Sequence, residues 1–337
     1  MRIAVDGMGG DHAPKEIVKG CIECINEVDD IDIFLIGQKN LIEKELEKYA
    51  FDSTRIKIIH ASEIITNEDK PVKAVRRKKD SSMIVGLNLL KERKVEAFIS
   101  AGNTGALLAG SLFNLGRIKG IDRPAIASVY PTTKGISLLV DAGANAECKA
   151  RNLLEFGLMG SVYVEKVLGK ENPSIGLANI GIEEGKGTQL IKESFELFKK
   201  TDLNFCGNAE VRDLPKGIVD VIVCDGFVGN VILKLTEGVA MTIMSMLKEQ
   251  FTKNFINKIG AAILKGSLKE FKKNLDYTEY GGAPLLGING AVVKAHGSSN
   301  AKAIKNAIKQ AKIFVEGEVV QIINREICRI GDENNAE

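Results

Sequence analysis

Tryptophan is absent from this chain of 337 residues, and aromatic residues make up only 5% of it. A surface that grips nucleic acid by stacking bases needs aromatic platforms, so nucleic acid is not expected as a partner. A net charge of +2 removes the other route to a polyanion, a strongly basic field over the whole protein. Six cysteines are too few for a disulfide scaffold. Cys21 and Cys24 form a C-x-x-C inside an amphipathic helical run, with no second pair to complete a zinc site, and read as small buried side chains. No His, Asp and Glu set has recognisable ligand spacing, so neither a metal nor a cofactor is expected. No internal repeat, low-complexity tract or Pro/Ser-rich linker divides the sequence. That favours one domain over residues 1–330, with a polar, frayed tail at 331–337. The first ten residues carry an acid at position 6 and no long apolar core, unlike a secretory signal. Residues 97–116 are uncharged and long enough to span a bilayer, but polar turn residues interrupt them, so strand–loop–helix is the reading. The expectation is a cytosolic protein.

What is present is ordinary globular material, 45% hydrophobic and 27% charged. Strand-like runs at Ile3–Val5, Ile31–Ile36, Ile56–His60, Ala97–Ser100, Ala125–Tyr130, Ile136–Val140, Ile175–Ala178 and Val219–Cys224 alternate with helical patterns. The helical stretches include Pro14–Val28, Asn40–Tyr49, Pro71–Arg93, Gly105–Gly116, Ala146–Leu168, Gly187–Lys200 and Val228–Gln250. Such alternation predicts an α/β fold with a largely parallel sheet and helices on both faces. Two places break the pattern. Pro131–Gly135 leaves no room for a crossover helix, and Asn289-Gly290 between apolar runs is a hairpin signal, so the sheet should be mixed.

Five loops after apolar runs read alike, rich in Gly, Asn, Asp, Ser or His: Asp6–His12, Ser100–Gly105, Asp141–Asn145, Asp225–Asn230 and His296–Ser299. Loops at the carboxyl ends of parallel strands gather along one sheet edge, where ligands bind. Glycine permits close backbone approach, and a helix starting there presents unpaired N–H groups to an anion. A site for a phosphate-like anion is the inference, with Ser100-Ala-Gly-Asn-Thr-Gly105 as its best cradle. Nucleotide motifs fit poorly. Gly7-Met-Gly-Gly-Asp-His12 has His where the third glycine of a dinucleotide fingerprint belongs, and Gly181–Thr188 is one residue short of a P-loop. Cys148 and Cys224 stand beside the loops, but no local base marks either as a nucleophile.

Taken in order, the blocks VDGMGGDHAPKEIVKG, HASEIITNEDKPVKAVRRKKDSSM, ISAGNTGALLAGSLFNLGRIKGIDRPAIA, LLVDAGANAECK, LANIGIEEGKGTQLIKES, VCDGFVGNVILKLTEG and DYTEYGGAPLLGINGAVVKAHGSSNAKAIKNAI resemble the bacterial acyl-ACP:phosphate acyltransferase family, PlsX. The resemblance implies a three-layer α/β/α fold akin to isocitrate dehydrogenase and a homodimer. It implies peripheral association with the inner face of the cell membrane, near a glycerol-3-phosphate acyltransferase that consumes acyl phosphate. The implied reaction joins the acyl group of acyl carrier protein (ACP) to inorganic phosphate. Phosphate contacts are then expected from Ser100, Gly102, Asn103, Thr104, Gly105, Asn145, Asn230 and Ser298. His12, His296 and Lys186 are candidates for proton transfer or for orienting phosphate.

Residues 239–275 stand apart. Phe251, Phe255, Ile259 and Ile263 recur every four residues, and lysines outnumber acids around them. A protruding basic amphipathic helix is expected there, with Phe251, Phe255, Lys258, Ile259, Lys265 and Lys269 facing anionic membrane or acidic ACP. A dimer-facing or core-facing helix is the simpler alternative. Two other functions compete: a decarboxylating dehydrogenase of related fold, which needs a nicotinamide site and a carboxylate cluster, and a non-enzymatic membrane adaptor.

Overall fold

The computed structural model describes residues 1–266 and 281–333. Its strands are β1 (Arg2–Asp6), β2 (Asp32–Gly37), β3 (Ile56–His60), β4 (Ala97–Ser100), β5 (Ala125–Thr132), β6 (Gly135–Val140), β7 (Ile175–Asn179), β8 (Phe205–Glu210), β9 (Val221–Val223), β10 (Ala283–Leu286) and β11 (Ala291–Lys294). The helices are α1 (Lys15–Ile25), α2 (Lys39–Leu46), α3 (Pro71–Arg77), α4 (Ser82–Lys91), α5 (Thr104–Asn114), α6 (Ala150–Leu168), α7 (Gln189–Phe198), α8 (Gly226–Thr252), α9 (Phe255–Ile263), α10 (Ala301–Glu316) and α11 (Val319–Glu333).

All the strands join one sheet in the order β3-β2-β1-β4-β11-β10-β5-β6-β9-β7-β8. Strand alternation divides the core into two layers. Ile3, Val5, Ile99 and Val293 face α1, α6, α10 and α11, whereas Ala4, Phe98 and Val292 face α4 and α5. The expected mixed sheet and both expected reversals are present: β5 pairs antiparallel with β6, and β10 with β11. The β10–β5 pair is antiparallel too. Those three reversals have a consequence for the loops. β1, β4 and β11 run one way, while β6, β9, β7 and β8, parallel to one another, run the other. The five polar loops therefore leave strands that run in both directions, not in the single direction of a simple parallel sheet.

Other boundaries shift for local reasons. The helix expected over Pro71–Arg93 is two helices, because Asp80 leaves the helical path to accept hydrogen bonds from the Ser62 amide at 2.9 Å and the Ser62 hydroxyl at 2.5 Å. The four-residue stripe through Phe251 and Ile263 is broken as well. α8 ends at Thr252, and Asn254 caps α9 by accepting from the Asn257 amide at 2.8 Å. Helix α11 runs to Glu333, three residues into the polar tail. Strand β8 carries little apolar alternation in FCGNAE and was not expected from the sequence.

Candidate active site

Two buried aspartates shape the site. Asp6 closes β1, and its carboxylate accepts from the Met8 amide at 3.1 Å and the Ser100 hydroxyl at 2.7 Å. Ser100 in turn accepts from the Gly102 amide at 3.0 Å. The backbones meet so closely that a Cβ on Gly9 would lie 2.7 Å from the Gly102 nitrogen, which explains glycine there. Asp141 follows β6. It accepts from the amides of Ile126 (3.0 Å), Gly143 (3.1 Å), Ala144 (2.9 Å) and Asn145 (2.7 Å), and from the Asn145 side chain (2.9 Å). Burial pushes both carboxyls above their ordinary range, and the hydrogen bonds oppose that shift.

Helix α8 docks on the second loop. Gly226 donates its amide to the Asn145 carbonyl at 2.7 Å, and a Cβ on Gly229 would fall 1.9 Å from the Asp141 carbonyl oxygen. Asp225 caps the helix by accepting from the Val228 amide at 2.9 Å. This contact sets the direction of α8, so that Asn230, Leu233, Lys234 and Glu237, spaced along one helical stripe, face a cavity of about 320 Å³.

That cavity lies over β5, with Ile126 and Ser128, two residues apart on one strand face, in its lining. Thr104 at the start of α5, Gly143, and Lys294 with His296 at the end of β11 complete its polar wall. The first N–H groups of α5, at Thr104 and Gly105, have no intrahelical acceptor, and the helix dipole is positive there. Lys294 is buried at 8% exposure. Its ammonium donates to the carbonyls of Ala101, at 3.3 Å, and Ala295. Burial lowers its pKa to about 8, with the negative charges of Asp6 and Asp11 opposing the shift. Lys234 pairs with Glu237 at 3.0 Å. His296 is held below the ordinary imidazole value, first by desolvation and then by Lys234. Its Nδ1 accepts from the Ser298 amide at 3.2 Å, which leaves the ring proton on Nε2 as a donor.

The cavity thus gathers Thr104, Asn230 and His296, all expected from sequence, with two lysines that were not. Lys294 and Lys234 carried a signal: each is a cation inside an otherwise apolar run, AVVKAH and NVILKLTEG. Other expected ligands have different work. The Ser100 hydroxyl is engaged with Asp6 and Gly102, and the Gly102 amide with Ser100. Asn103 caps α5 by accepting from the Ala106 amide at 2.9 Å, and donates to the carbonyls of Thr66 (3.3 Å) and Asn67 (3.4 Å). The Asn145 amide group is buried, donating to the Pro124 carbonyl at 2.7 Å and to Asp141. These three side chains hold the loops in shape instead of pointing into the cavity. His12 and Ser298 line a neighbouring crevice with Lys15 and Asn300. Lys186 is exposed on the loop after β7 and does not line the cavity. Cys148 is a poor nucleophile, its thiol pushed up to about 12 by burial and by Asp141 and Asp225. Burial likewise raises Cys224 far above its usual value. A larger crevice of about 770 Å³ opens at the opposite ends of the strands, beside Arg2, Glu96 and Asn289, and touches none of the five loops.

The architecture is that of the phosphotransacylases. A phosphotransacetylase from Streptococcus pyogenes superposes with a TM-score of 0.63 at 17% identity, covering 95% of this chain and 94% of that one. The EutD phosphotransacetylase of Staphylococcus aureus gives 0.60 at 14%, covering 93% and 94%. At those identities the likeness concerns the fold alone. The family model for the fatty acid synthesis protein matches residues 1–322, and the chain belongs to that family. It is similar to a phosphate acyltransferase of Alkaliphilus oremlandii, 62% identical over 333 residues and 99% of each chain. The phosphate acyltransferase of Clostridioides difficile is 56% identical over 335 residues, 99% of this chain and 98% of the other.

Proposed function

We propose that this protein is a phosphate acyltransferase that moves a fatty acyl group from acyl-ACP to inorganic phosphate. A phosphate oxygen attacks the thioester carbonyl carbon, a tetrahedral oxyanion forms, the C–S bond breaks, and acyl phosphate and the free carrier thiol leave. The observation that carries this reading is the buried Lys294 beside the start of α5, in one cavity with Lys234 and His296. Cations and helix N–H groups converging in a half-enclosed space suit a phosphate that must be held and aimed. His296 Nε2–H suits the oxyanion. Lys294, at about 8, is near a free thiol of about 8.5, so its ammonium matches the proton demand of the departing thiolate. No side chain is asked to carry the acyl group, in keeping with the raised Cys148 and Cys224 thiols. The test is phosphate-dependent release of free thiol from purified acyl-ACP, with acyl phosphate identified by mass spectrometry. Thiol release that ignores phosphate overturns the reading.

A homodimer at the membrane surface is part of the proposal, with the product passed to a glycerol-3-phosphate acyltransferase on the cytoplasmic side. α8 projects with Val239, Met241, Ile243 and Met246 exposed, and α9 exposes Phe255, Ile259 and Ile263. An apolar surface of that extent on a charged protein suits a second copy or a lipid surface. Phe251 is half-buried, Lys258 on α9 and Lys265 are exposed, and Lys269 lies outside the described residues. Replacing Lys258 and Lys265 with Glu is expected to release the protein from anionic vesicles while turnover in solution persists. Unchanged vesicle binding rejects the membrane role.

A further inference from the structure

A second basic surface lies beside the cavity, and it is built differently from the arm. Helix α3 buries Ala74 and Val75 and turns Lys73, Arg76 and Arg77 outward, the i, i+3 and i+4 positions of one face. Lys70 before it and Lys79 after it are also exposed. The lysines of α10 are by contrast paired: Lys305 and Lys309 with Glu27, Lys312 with Asp30. Within this run Lys78 alone is matched, to Asp69 at 2.5 Å, and the other five cations form no ion pair among the described residues. In their midst two apolar side chains are exposed, Val72 at 48% and Phe113 at 52%, with the Arg76 guanidinium 5.4 Å from the Phe113 ring centroid. Unmatched charge around a small apolar centre is the anatomy of a protein-docking patch.

The patch is continuous with the cavity. Pro71, the first residue of α3, abuts the start of α5 so tightly that a Cβ on Gly105 would lie 2.8 Å from Pro71 Cγ. Asn103 reaches from the other side to the carbonyls of Thr66 and Asn67, fixing the segment that leads into α3. Phe113 stands on α5 itself, about two and a half turns beyond Thr104. A protein seated on α3 would therefore have its tethered thioester arm beside the N-terminus of α5.

We propose that the outer face of α3, with Phe113, is the docking surface for the acidic carrier protein that delivers the acyl thioester. The inference rests on the acyltransfer reading and assigns its partner a place on the molecule. Five unmatched cations attract an acidic protein at long range, and Val72 and Phe113 supply the short-range contact once it arrives. The arm of α8 and α9 is thereby left to the dimer and lipid surface.

The test compares two substrates on the full-length protein. In the variant Lys73→Glu, Arg76→Glu, Arg77→Glu, the KM for acyl-ACP is expected to rise at least tenfold. Turnover of acyl-pantetheine, which has the thioester without the protein, should stay within twofold of wild type. Direct titration with holo-ACP should show the same loss of affinity and a steep dependence on salt. The neutral variant Lys73→Gln, Arg76→Gln, Arg77→Gln serves if the reversed charges disturb folding, and should show a smaller loss in the same direction. Equal losses on both substrates overturn the proposal, because α3 then merely supports the α5 loop. So does unchanged holo-ACP affinity, including the case in which the variant instead leaves anionic vesicles. A tenfold rise in the KM for acyl-ACP from Lys258→Glu with Lys265→Glu, absent from the α3 variant, moves docking to the arm. If wild type turns over neither substrate, the acyltransfer reading fails, and the docking proposal falls with it.

Discussion

After β1 and after β6 the chain makes the same opening move: an aspartate at the strand end turns its carboxylate back on the loop, and glycines follow. Asp6 and Asp141 are both buried, at 2% and 0% exposure. They are held by different partners. Asp6 is bound across strands to a side chain, Ser100, and the ammonium of Lys294 lies near enough to feel its charge. Asp141 is satisfied by main-chain amides from its own loop and from Ile126, with the Asn145 side chain added. The first arrangement is a side-chain network that places a cation at the cavity wall. The second is a rigid turn that seats the start of α8. On the proposed reading one loop bears on phosphate chemistry and the other on geometry, although in sequence they look like one motif.

The largest effect is expected where an amide cluster loses its acceptor. In Asp141→Ala the amides of Ile126, Gly143, Ala144 and Asn145 would lack their partner, each buried unsatisfied group costing about 1–3 kcal/mol. Urea unfolding should show a loss well beyond the ~1 kcal/mol of an ordinary substitution. Activity should vanish with it, since α8 would lose its seat. A loss under ~1 kcal/mol would mean that the loop holds itself, and the contrast with Asp6 would dissolve.

Lys294→Met probes the other arrangement and should separate stability from activity. Removing a buried ammonium relieves its desolvation, so stability should hold or rise. kcat/KM for phosphate should fall roughly a hundredfold or more, the scale for losing one preorganised donor. The two quantities also differ in pH dependence. Between about 8 and the ordinary lysine value of 10.5 the unfolded chain binds the proton and the folded protein releases it. Lys294 therefore makes stability increase with pH across that window. Phosphate binding, which on the proposed reading needs the ammonium, should weaken over the same window, with KM rising above pH of about 8. A bound anion favours the charged lysine, so the kcat limb should sit at higher pH than the KM limb. Lys294→Met should flatten the KM dependence. If the wild-type phosphate KM is level from pH 7 to 9, the lysine is not the anion's partner.

Adjacent residues at the start of α5 offer a smaller test of the same division. Asn103→Ala removes a helix cap and should cost about 1 kcal/mol of stability. Thr104→Ala removes a hydroxyl from the cavity wall, so it should raise the phosphate KM with stability unchanged. If Asn103→Ala raises KM without destabilising, the cap is dispensable and its amide belongs to the ligand.

Much of this was legible in the residues. Alternating apolar runs marked most strands near their observed bounds, and Asn289-Gly290 marked the β10–β11 turn, because period and turn chemistry are local. The loop after β4 could be recognised as the start of a helix that suits an anion. Strand direction was beyond local reading. Three antiparallel pairings across β11, β10, β5 and β6 decide which loops meet, and the β10–β5 pair joins residues far apart in sequence. Side-chain partners were beyond local reading for the same reason. Ser100 and Asn145 look like ligands until Asp6 and Asp141 take their donors. Lys294 is marked in sequence only as a cation within an apolar run, until the sheet closes over it.

The least effect is expected at Cys148, which lies beside the Asp141 loop. Its thiol lies near Asp141 and Asp225, and its sulfur is 3.6 Å from the Asn145 carbonyl oxygen, a contact on the structural side of the division. With its pKa pushed up to about 12, almost no thiolate exists at neutral pH. Nucleophilic sulfur is the thiolate, so an acyl-cysteine route would start from a vanishing population. Cys148→Ala should therefore keep most of the wild-type kcat and lose at most ~1 kcal/mol of stability through packing. The sharper measurement is intact-mass spectrometry of the wild-type protein quenched during turnover of acyl-ACP. Direct attack by phosphate leaves the protein mass unchanged. An acyl adduct mapped to Cys148 would assign the thiol a chemical role and move it across the division.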